Sequence, residues 1–210
     1  MSEEWIERWQ QGRIGWHESG GNAYLRRHWP KLESGSTVLV PLCGKSVDLI
    51  WLLSQGLDVT GIELSEIAVK AFFDANNLEF TTDQVGKLDC YAAISMPIRI
   101  YCGDYFDYEA KPADALFDRG ALSAMSETLR PRYIEHTKSL LAPGSVRMII
   151  TLEYEQDEVA GPPFAVWPDE LRGYWPDLQR IDSHDDLQNS PPKFRAAAIA
   201  EFREVVWVSG

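Results

Sequence analysis

Between Thr37 and Leu64 the pattern of apolar and polar positions is at its most regular. Val38, Leu39 and Val40 form a short apolar run bounded by turn residues, which predicts a strand buried on both faces. A sharp turn at Pro41-Leu42-Cys43-Gly44 follows, and an apolar, helix-like run then continues to Gly56. Asp58 to Leu64 is the next predicted strand, with Glu63 close to its end. Strand, glycine turn, helix, strand, acid is the order in which a doubly wound α/β fold builds a nucleoside site.

The elements on either side fit that frame. Residues 2–11 read as a helix N-capped by Ser2 and closed by Gly12, with Trp5, Ile6 and Trp9 on one face. Those tryptophans are either docking anchors for a terminal segment or a lid over a ligand. The glycine-rich stretch Arg13–Asn22 sets Trp16 and His17 on a loop, and Asn22 to Trp29 reads as a short helix stopped by Pro30. Beyond Leu64, Ser65 is the expected N-cap of a helix from Glu66 to about Asn76, whose inward stripe is Ile67, Ala68, Ala71, Phe72 and Ala75. Residues 77–97 read as loop or hairpin. Further strands are predicted at Ile98–Cys102, Ala115–Asp118, Val146–Leu152 and Glu204–Val208. A helix is expected over 127–141, where Pro131 fits only the first turn, and a turn at Pro143-Gly144. Gly161 to Phe164 reads as a rigid loop, Pro168 to Trp175 as a short helix, and Asp182–Asp186 as an acidic loop.

Length and composition narrow the picture. With 210 residues, 45% of them hydrophobic, the chain suits one domain, 1–210, with residues 1–30 as an N-terminal helical part. No apolar run approaches the length of a membrane span, and the first residues lack a secretion pattern. Three cysteines, Cys43, Cys90 and Cys102, suit neither a disulfide framework nor a metal site, so a reducing, cytoplasmic location is expected. The histidines have no metal-ligand spacing, and no metal is predicted. A net charge of −12 argues against nucleic acid or an anionic membrane as partner.

The candidate chemistry gathers at three strand ends. They offer the glycine turn Leu42–Gly44, the acid Glu63, and the pair Asp104-Tyr105. Those pieces suit an adenosine: Glu63 for the ribose hydroxyls, Asp104 or nearby backbone for the adenine amine, Leu42 and Tyr105 for its faces. No phosphate cradle accompanies them. A P-loop needs a glycine where Leu39 stands, and a dinucleotide turn needs three glycines where only Gly44 is present. An adenosine without phosphates points to S-adenosylmethionine. The alternative for Glu63 is an ordinary strand-end acid.

At these residues the chain resembles a known family. V-P-L-C-G-K-S, G-I-E-L-S-E-I-A-V, F-D-R-G-A-L and G-P-P-F, with W-x-x-x-W-x-x-G-x-x-G-W-H near the start, resemble the bacterial branch of the thiopurine S-methyltransferases. The resemblance runs from about Trp5 to Phe164 and more loosely to Val208. It implies a Rossmann-like class I methyltransferase fold, α/β, whose seven-stranded, mostly parallel sheet has the order 3-2-1-4-5-7-6 with helices on both faces. It also implies methyl transfer from S-adenosylmethionine to the sulfur of a small thiol, leaving S-adenosylhomocysteine, by a monomer.

Residue by residue, the resemblance places cofactor contacts at Trp9, Leu42, Glu63 and Arg119, with Asp104 and Tyr105 beside the adenine. Trp16 falls over cofactor and acceptor, where relatives have phenylalanine, and the tryptophans then read as a lid. Arg119 either binds the methionine carboxylate or stabilises a thiolate acceptor, the catalytic role. Lys193 and Arg195, in P-P-K-F-R, are both candidates for a second basic contact to the substrate. Cys43 reads as a packing residue. Two alternatives remain: selenium, tellurium or other small nucleophiles as acceptors, or a non-catalytic adenosine-binding sensor.

Overall fold

The computed structural model describes residues 2–209. It divides into two compact units, 1–115 and 116–210. The first unit begins with helices α1 (Ser2–Gln10) and α2 (Ala23–His28), then strand β1 (Thr37–Pro41), α3 (Asp48–Ser54), β2 (Asp58–Glu63) and α4 (Glu66–Ala75). Strands β3 (Phe80–Val85), β4 (Leu88–Ala93) and β5 (Ile98–Cys102) follow, and β6 (Ala113–Arg119) carries the chain out of the unit. Hydrogen-bonded neighbours run β3-β4-β5-β2-β1-β6. The β1/β2 and β2/β5 pairs are parallel, and β3/β4 and β4/β5 antiparallel.

The apolar run that predicts β1 is buried from Val38 to Pro41, as a central strand covered on both faces requires. Thr37, at its start, donates both its N–H and its hydroxyl to the Asp114 carboxylate at 2.8 and 2.9 Å, fixing the register against β6. Helix α4 buries Ala68, Val69, Phe72 and Phe73. Its inward face is therefore rotated from the expected stripe, and Ile67 is 46% exposed. Phe73 is the reason: its ring packs 4.7 Å from Phe80 of the β3-β4 hairpin, and burying a phenylalanine is worth about 1.5–3 kcal/mol. Asn22 caps α2 as expected, accepting from Leu25 N–H. Ser65 stands at the N-cap of α4 but makes no side-chain capping bond. A capping role for the Ser2 side chain lies outside the described residues.

The second unit holds α5 (Ala121–Ala124), α6 (Arg130–Ser139), β7 (Leu141–Glu153), α7 (Pro168–Tyr174), β8 (Gln179–Asp185), α8 (Pro192–Ala197) and β9 (Arg203–Ser209). From β6 onward the strand order is β6-β7-β9-β8, with β7/β9 and β8/β9 antiparallel. Among the described residues there are thus nine strands rather than seven. The two beyond the expected order are the hairpin β3-β4; without it, β5-β2-β1-β6 and β6-β7-β9-β8 reproduce 3-2-1-4 and 4-5-7-6. The expected turn at Pro143-Gly144 lies instead inside β7, where Gly144 takes a φ of +76°. Buried Arg130 ties this unit together, donating to Met125 O, Ala165 O and the Glu170 carboxylate. No helix among the described residues is long and apolar enough to cross a membrane.

Candidate functional site

Because β5, β2 and β1 are parallel neighbours, their C-terminal ends lie side by side and the turns after them meet. Glu63, at the end of the middle strand, is 6% exposed. Its Oε2 accepts the Gly44 N–H at 2.8 Å and its Oε1 the Ser65 N–H at 2.8 Å. On the other side Gly103 N–H donates to Glu63 O at 2.9 Å, and Cys43 N–H donates to Ile62 O at 3.0 Å. One carboxylate therefore knits the glycine turn to the start of α4. Burial raises its pKa, and the amides of Ser65, Gly44 and Leu64 pull it back down.

The turn itself needs unusual backbone. Leu42 and Gly44 adopt φ of +49° and +56°, a region that costs a leucine energy and is justified only where the surroundings hold it. Space is short as well: a Cβ on Gly44 would lie 3.3 Å from the ring of Trp9. Behind the turn, a Cβ on Gly61 would lie 2.7 Å from Cys43 Sγ. Cys43 thus fills the gap that glycine leaves in β2. Its thiol is pushed well up, by burial first and by the Glu63 charge second, which suits packing rather than nucleophilic attack.

Of the N-terminal tryptophans, Trp9 sits on this turn and Trp16 packs on Trp9. Trp9 is buried, with its ring against Gly44. Trp16 meets the ring of Trp5 at 5.1 Å and that of Trp9 at 6.0 Å, both edge to face, a favoured aromatic arrangement. Arg8 lies over Trp5 at 4.8 Å and pairs with Glu4 at 2.6 Å. On the far side of Glu63, Asp104 is exposed and accepts Phe106 N–H at 3.0 Å, holding the short turn that buries Tyr105. The structure therefore brings Trp9, Trp16, Leu42 and Glu63 together, and sets Asp104 and Tyr105 at the next strand end.

Arg119, Lys193 and Arg195 belong to the second unit. Arg119 ends β6, just before Gly120, whose φ of +95° turns the chain into α5. Its neighbour Asp118 is 1% exposed and accepts from Ala121 and Leu122 N–H and from the Tyr133 hydroxyl. Burial lifts the Asp118 pKa to about 6 against the pull of those bonds. Lys193 donates to Ala160 O at 2.6 Å and Pro162 O at 2.7 Å, so it holds the Gly161-Pro162-Pro163 loop. Arg195 donates to Ser190 O and Gln188 O. Arg130 and Asp48 give no sign in the sequence, because a buried polar residue carries no periodic signal, whereas Asp118 stands in the F-D-R-G-A-L motif.

The residues present fit S-adenosylmethionine on their own chemistry. An ionised carboxylate has about four acceptor sites, and the two amides take one on each Glu63 oxygen. The acceptor sites that remain suit the hydroxyls of a ribose.

Known proteins resemble the chain over nearly its whole length. The family model of thiopurine S-methyltransferase matches residues 1–209. Thiopurine S-methyltransferases of two strains of Pseudomonas fluorescens are 42% and 46% identical, over 97% and 89% of this chain and 94% and 88% of theirs. That of Photobacterium profundum is 37% identical over 99% of this chain and 97% of its own. Among solved structures, the 1,6-didemethyltoxoflavin-N1-methyltransferase of Burkholderia thailandensis, with S-adenosylhomocysteine bound, superposes with a TM-score of 0.64 at 17% identity. The match covers 99% of this chain and 86% of that one. Phosphoethanolamine N-methyltransferase 2 of Haemonchus contortus, with S-adenosyl-L-methionine bound, gives 0.61 at 12%, covering 89% and 51%. These likenesses establish the α/β fold of the S-adenosylmethionine-dependent methyltransferases. With its glycine turn, its clamped strand-end carboxylate and a family match over nearly its whole length, the chain belongs to the thiopurine S-methyltransferase family.

Proposed function

We propose that this S-adenosylmethionine-dependent methyltransferase delivers the methyl group to sulfur, on a thiopurine or another aromatic or heterocyclic thiol. The observation that carries the reading is the Gly44–Glu63–Ser65 clamp, set in a chain whose relatives are named for S-methyl transfer to thiopurines. When bound, S-adenosylmethionine supplies a methyl on a cationic sulfur, open to in-line attack. The chain's own part is to hold the nucleoside, exclude water and keep the acceptor ionised.

In this reading Glu63 binds the ribose diol, Leu42 and Tyr105 flank the adenine, and Asp104 faces its amine. Trp9 and Trp16 cover the site, with residues 1–30 of a single methyltransferase domain acting as the lid. Excluding water favours a thiolate nucleophile, because water stabilises the separated charges that the reaction annihilates. Arg119 supplies the cation that favours the thiolate over the thiol. No general base is required for an acceptor already acidic at neutral pH. The net charge of −12 speaks against a nucleic-acid or anionic-membrane partner, the free cysteines fit a cytoplasmic location, and the family resemblance favours a monomer acting on a small molecule.

The test is methyl transfer from labelled S-adenosylmethionine to a panel of aromatic thiols, selenite and a phenol. Sulfur acceptors are expected to dominate. Labelling of the phenol alone would overturn the acceptor class, and cofactor binding without any transfer would favour a sensor. For Lys193, substitution by methionine is expected to raise KM for the thiol and leave KM for the cofactor unchanged. Equal changes in both would remove its acceptor role.

A further inference from the structure

Asp48 opens α3, four residues beyond the glycine turn, and is 2% exposed. Its Oδ1 accepts the backbone N–H of Asn22 at 2.7 Å, across 26 residues of chain. Its Oδ2 accepts the Ser46 hydroxyl at 2.9 Å, while Asp48 N–H donates back to Ser46 Oγ at 3.2 Å. Ser46 N–H in turn donates to Cys43 O at 3.2 Å, inside the turn. An unbroken set of hydrogen bonds therefore runs from Cys43 through Ser46 and Asp48 to Asn22.

The Asn22 end is built to receive it. Gly21 has a φ of +74°, and a Cβ there would stand 2.8 Å from Asp48 Oδ1 and 3.1 Å from Arg26 Nη2. Arg26 donates to Gly20 O at 2.5 Å. Asn22, itself 2% exposed, accepts Leu25 N–H at 3.0 Å and donates to Glu18 Oε2 at 3.3 Å. Five residues before Gly21 stands Trp16, which packs on Trp9, and Trp9 rests on Gly44. The loop 42–48 thus meets the tryptophan segment twice, by an apolar contact at Gly44 and by a charged latch at Asp48.

We propose that Asp48 is a positioning residue: it latches the tryptophan-bearing N-terminal segment onto the glycine-turn loop and so holds the cover of the cofactor site in place. A carboxylate is suited to this because bonds to a charged acceptor are stronger than neutral ones, and burial shields them from competing water. The inference rests on the reading of the turn as the cofactor site, yet its first consequence, order in residues 2–22, is measurable without cofactor.

The experiment compares wild type with Asp48→Ala, Asp48→Asn and Gly21→Ala by limited proteolysis, by calorimetric titration with S-adenosylmethionine, and by KM and kcat. Asp48→Ala is expected to speed cleavage within residues 2–22 and to weaken cofactor binding about tenfold to a hundredfold, the loss of one bond to a charged group, with a smaller change in kcat. Asp48→Asn keeps an acceptor for Asn22 N–H and a donor to Ser46 Oγ but removes the charge, and is expected to fall between wild type and Asp48→Ala in both readouts. Gly21→Ala breaks the latch from the other side without touching the turn, and keeps the test open if Asp48→Ala does not fold. Wild-type cleavage and cofactor affinity in a folded Asp48→Ala or Gly21→Ala variant would overturn the latch. Wild-type protein that fails to bind S-adenosylmethionine would instead overturn the cofactor reading, and cleavage rates would still decide the latch.

Discussion

Replacing Glu63 with glutamine keeps the side chain's shape and removes its charge, so it separates the two duties the structure gives that residue. In the native protein each carboxylate oxygen accepts one buried amide N–H at 2.8 Å, from Gly44 on one side and Ser65 on the other. A glutamine has one acceptor oxygen for those two donors. Its amine must then face an N–H, leaving a buried donor unpaired at a cost of about 1–3 kcal/mol. Some of that is offset, because neutral glutamine escapes the burial penalty that raises the Glu63 pKa. A net loss of about 1–2 kcal/mol in a chain of this size lowers Tm by roughly 2–8 °C. The cofactor suffers separately. An amine cannot accept from a ribose hydroxyl, and losing one bond to a charged acceptor weakens binding about tenfold to a hundredfold. Thermal melts and calorimetric titration with S-adenosylmethionine read the two effects independently. Unchanged affinity with a lowered Tm would make Glu63 a clamp with no part in binding the ribose. Unchanged affinity and unchanged Tm would refute the site geometry itself.

The other expectations concern stability. Burial lifts the Asp118 pKa to about 6, so between about pH 4 and pH 6 the folded protein binds more protons at this site than the unfolded chain. The stability Asp118 contributes therefore falls as pH rises through that window, by up to about 3 kcal/mol, and stays lost above it. Asp118→Asn is expected to gain on the wild type by up to that amount between pH 4 and pH 7 in urea melts; parallel pH profiles would show that the carboxyl is not buried as described. Gly61→Ala is expected to destabilise by about 1–3 kcal/mol, because the new methyl meets Cys43 Sγ at 2.7 Å. Adding Cys43→Ala should recover part of that loss, and strictly additive losses would show that the two residues do not touch.

Much of the first unit was legible because its strands are buried and its turns carry chemistry. The apolar run Val38 to Val40 forms the middle of β1, Ile98 to Cys102 coincides with β5, and Glu63 ends β2 where the order of turn and acid places it. The same logic fails where burial is absent. Strand β3 is almost wholly exposed, and β8 is exposed or half-buried throughout, so neither leaves an apolar period to read. Of the acidic run Asp182–Asp186, expected as a loop, Asp182 to Asp185 belong to that edge strand, paired with β9. Helix α4 shows a subtler failure. Its period was visible, but which side faced inward depended on Phe73 meeting Phe80, a contact the helix alone does not encode. In the site, single residues with obvious chemistry were found, whereas those that hold them in place were not. Asn22 reads as a helix cap, which it is, but its backbone N–H also donates to the Asp48 carboxylate, and no spacing in the chain announces that pairing.

The central claim is transfer to sulfur, and 6-mercaptopurine offers sulfur and ring nitrogens to the enzyme in one molecule. Carbon NMR of the product formed with ¹³C-methyl S-adenosylmethionine reads which atom carries the label. An S-methyl signal is expected, lost or strongly reduced with Arg119→Ala. A methyl on ring nitrogen, or an S-methyl signal formed equally fast without Arg119, would contradict it.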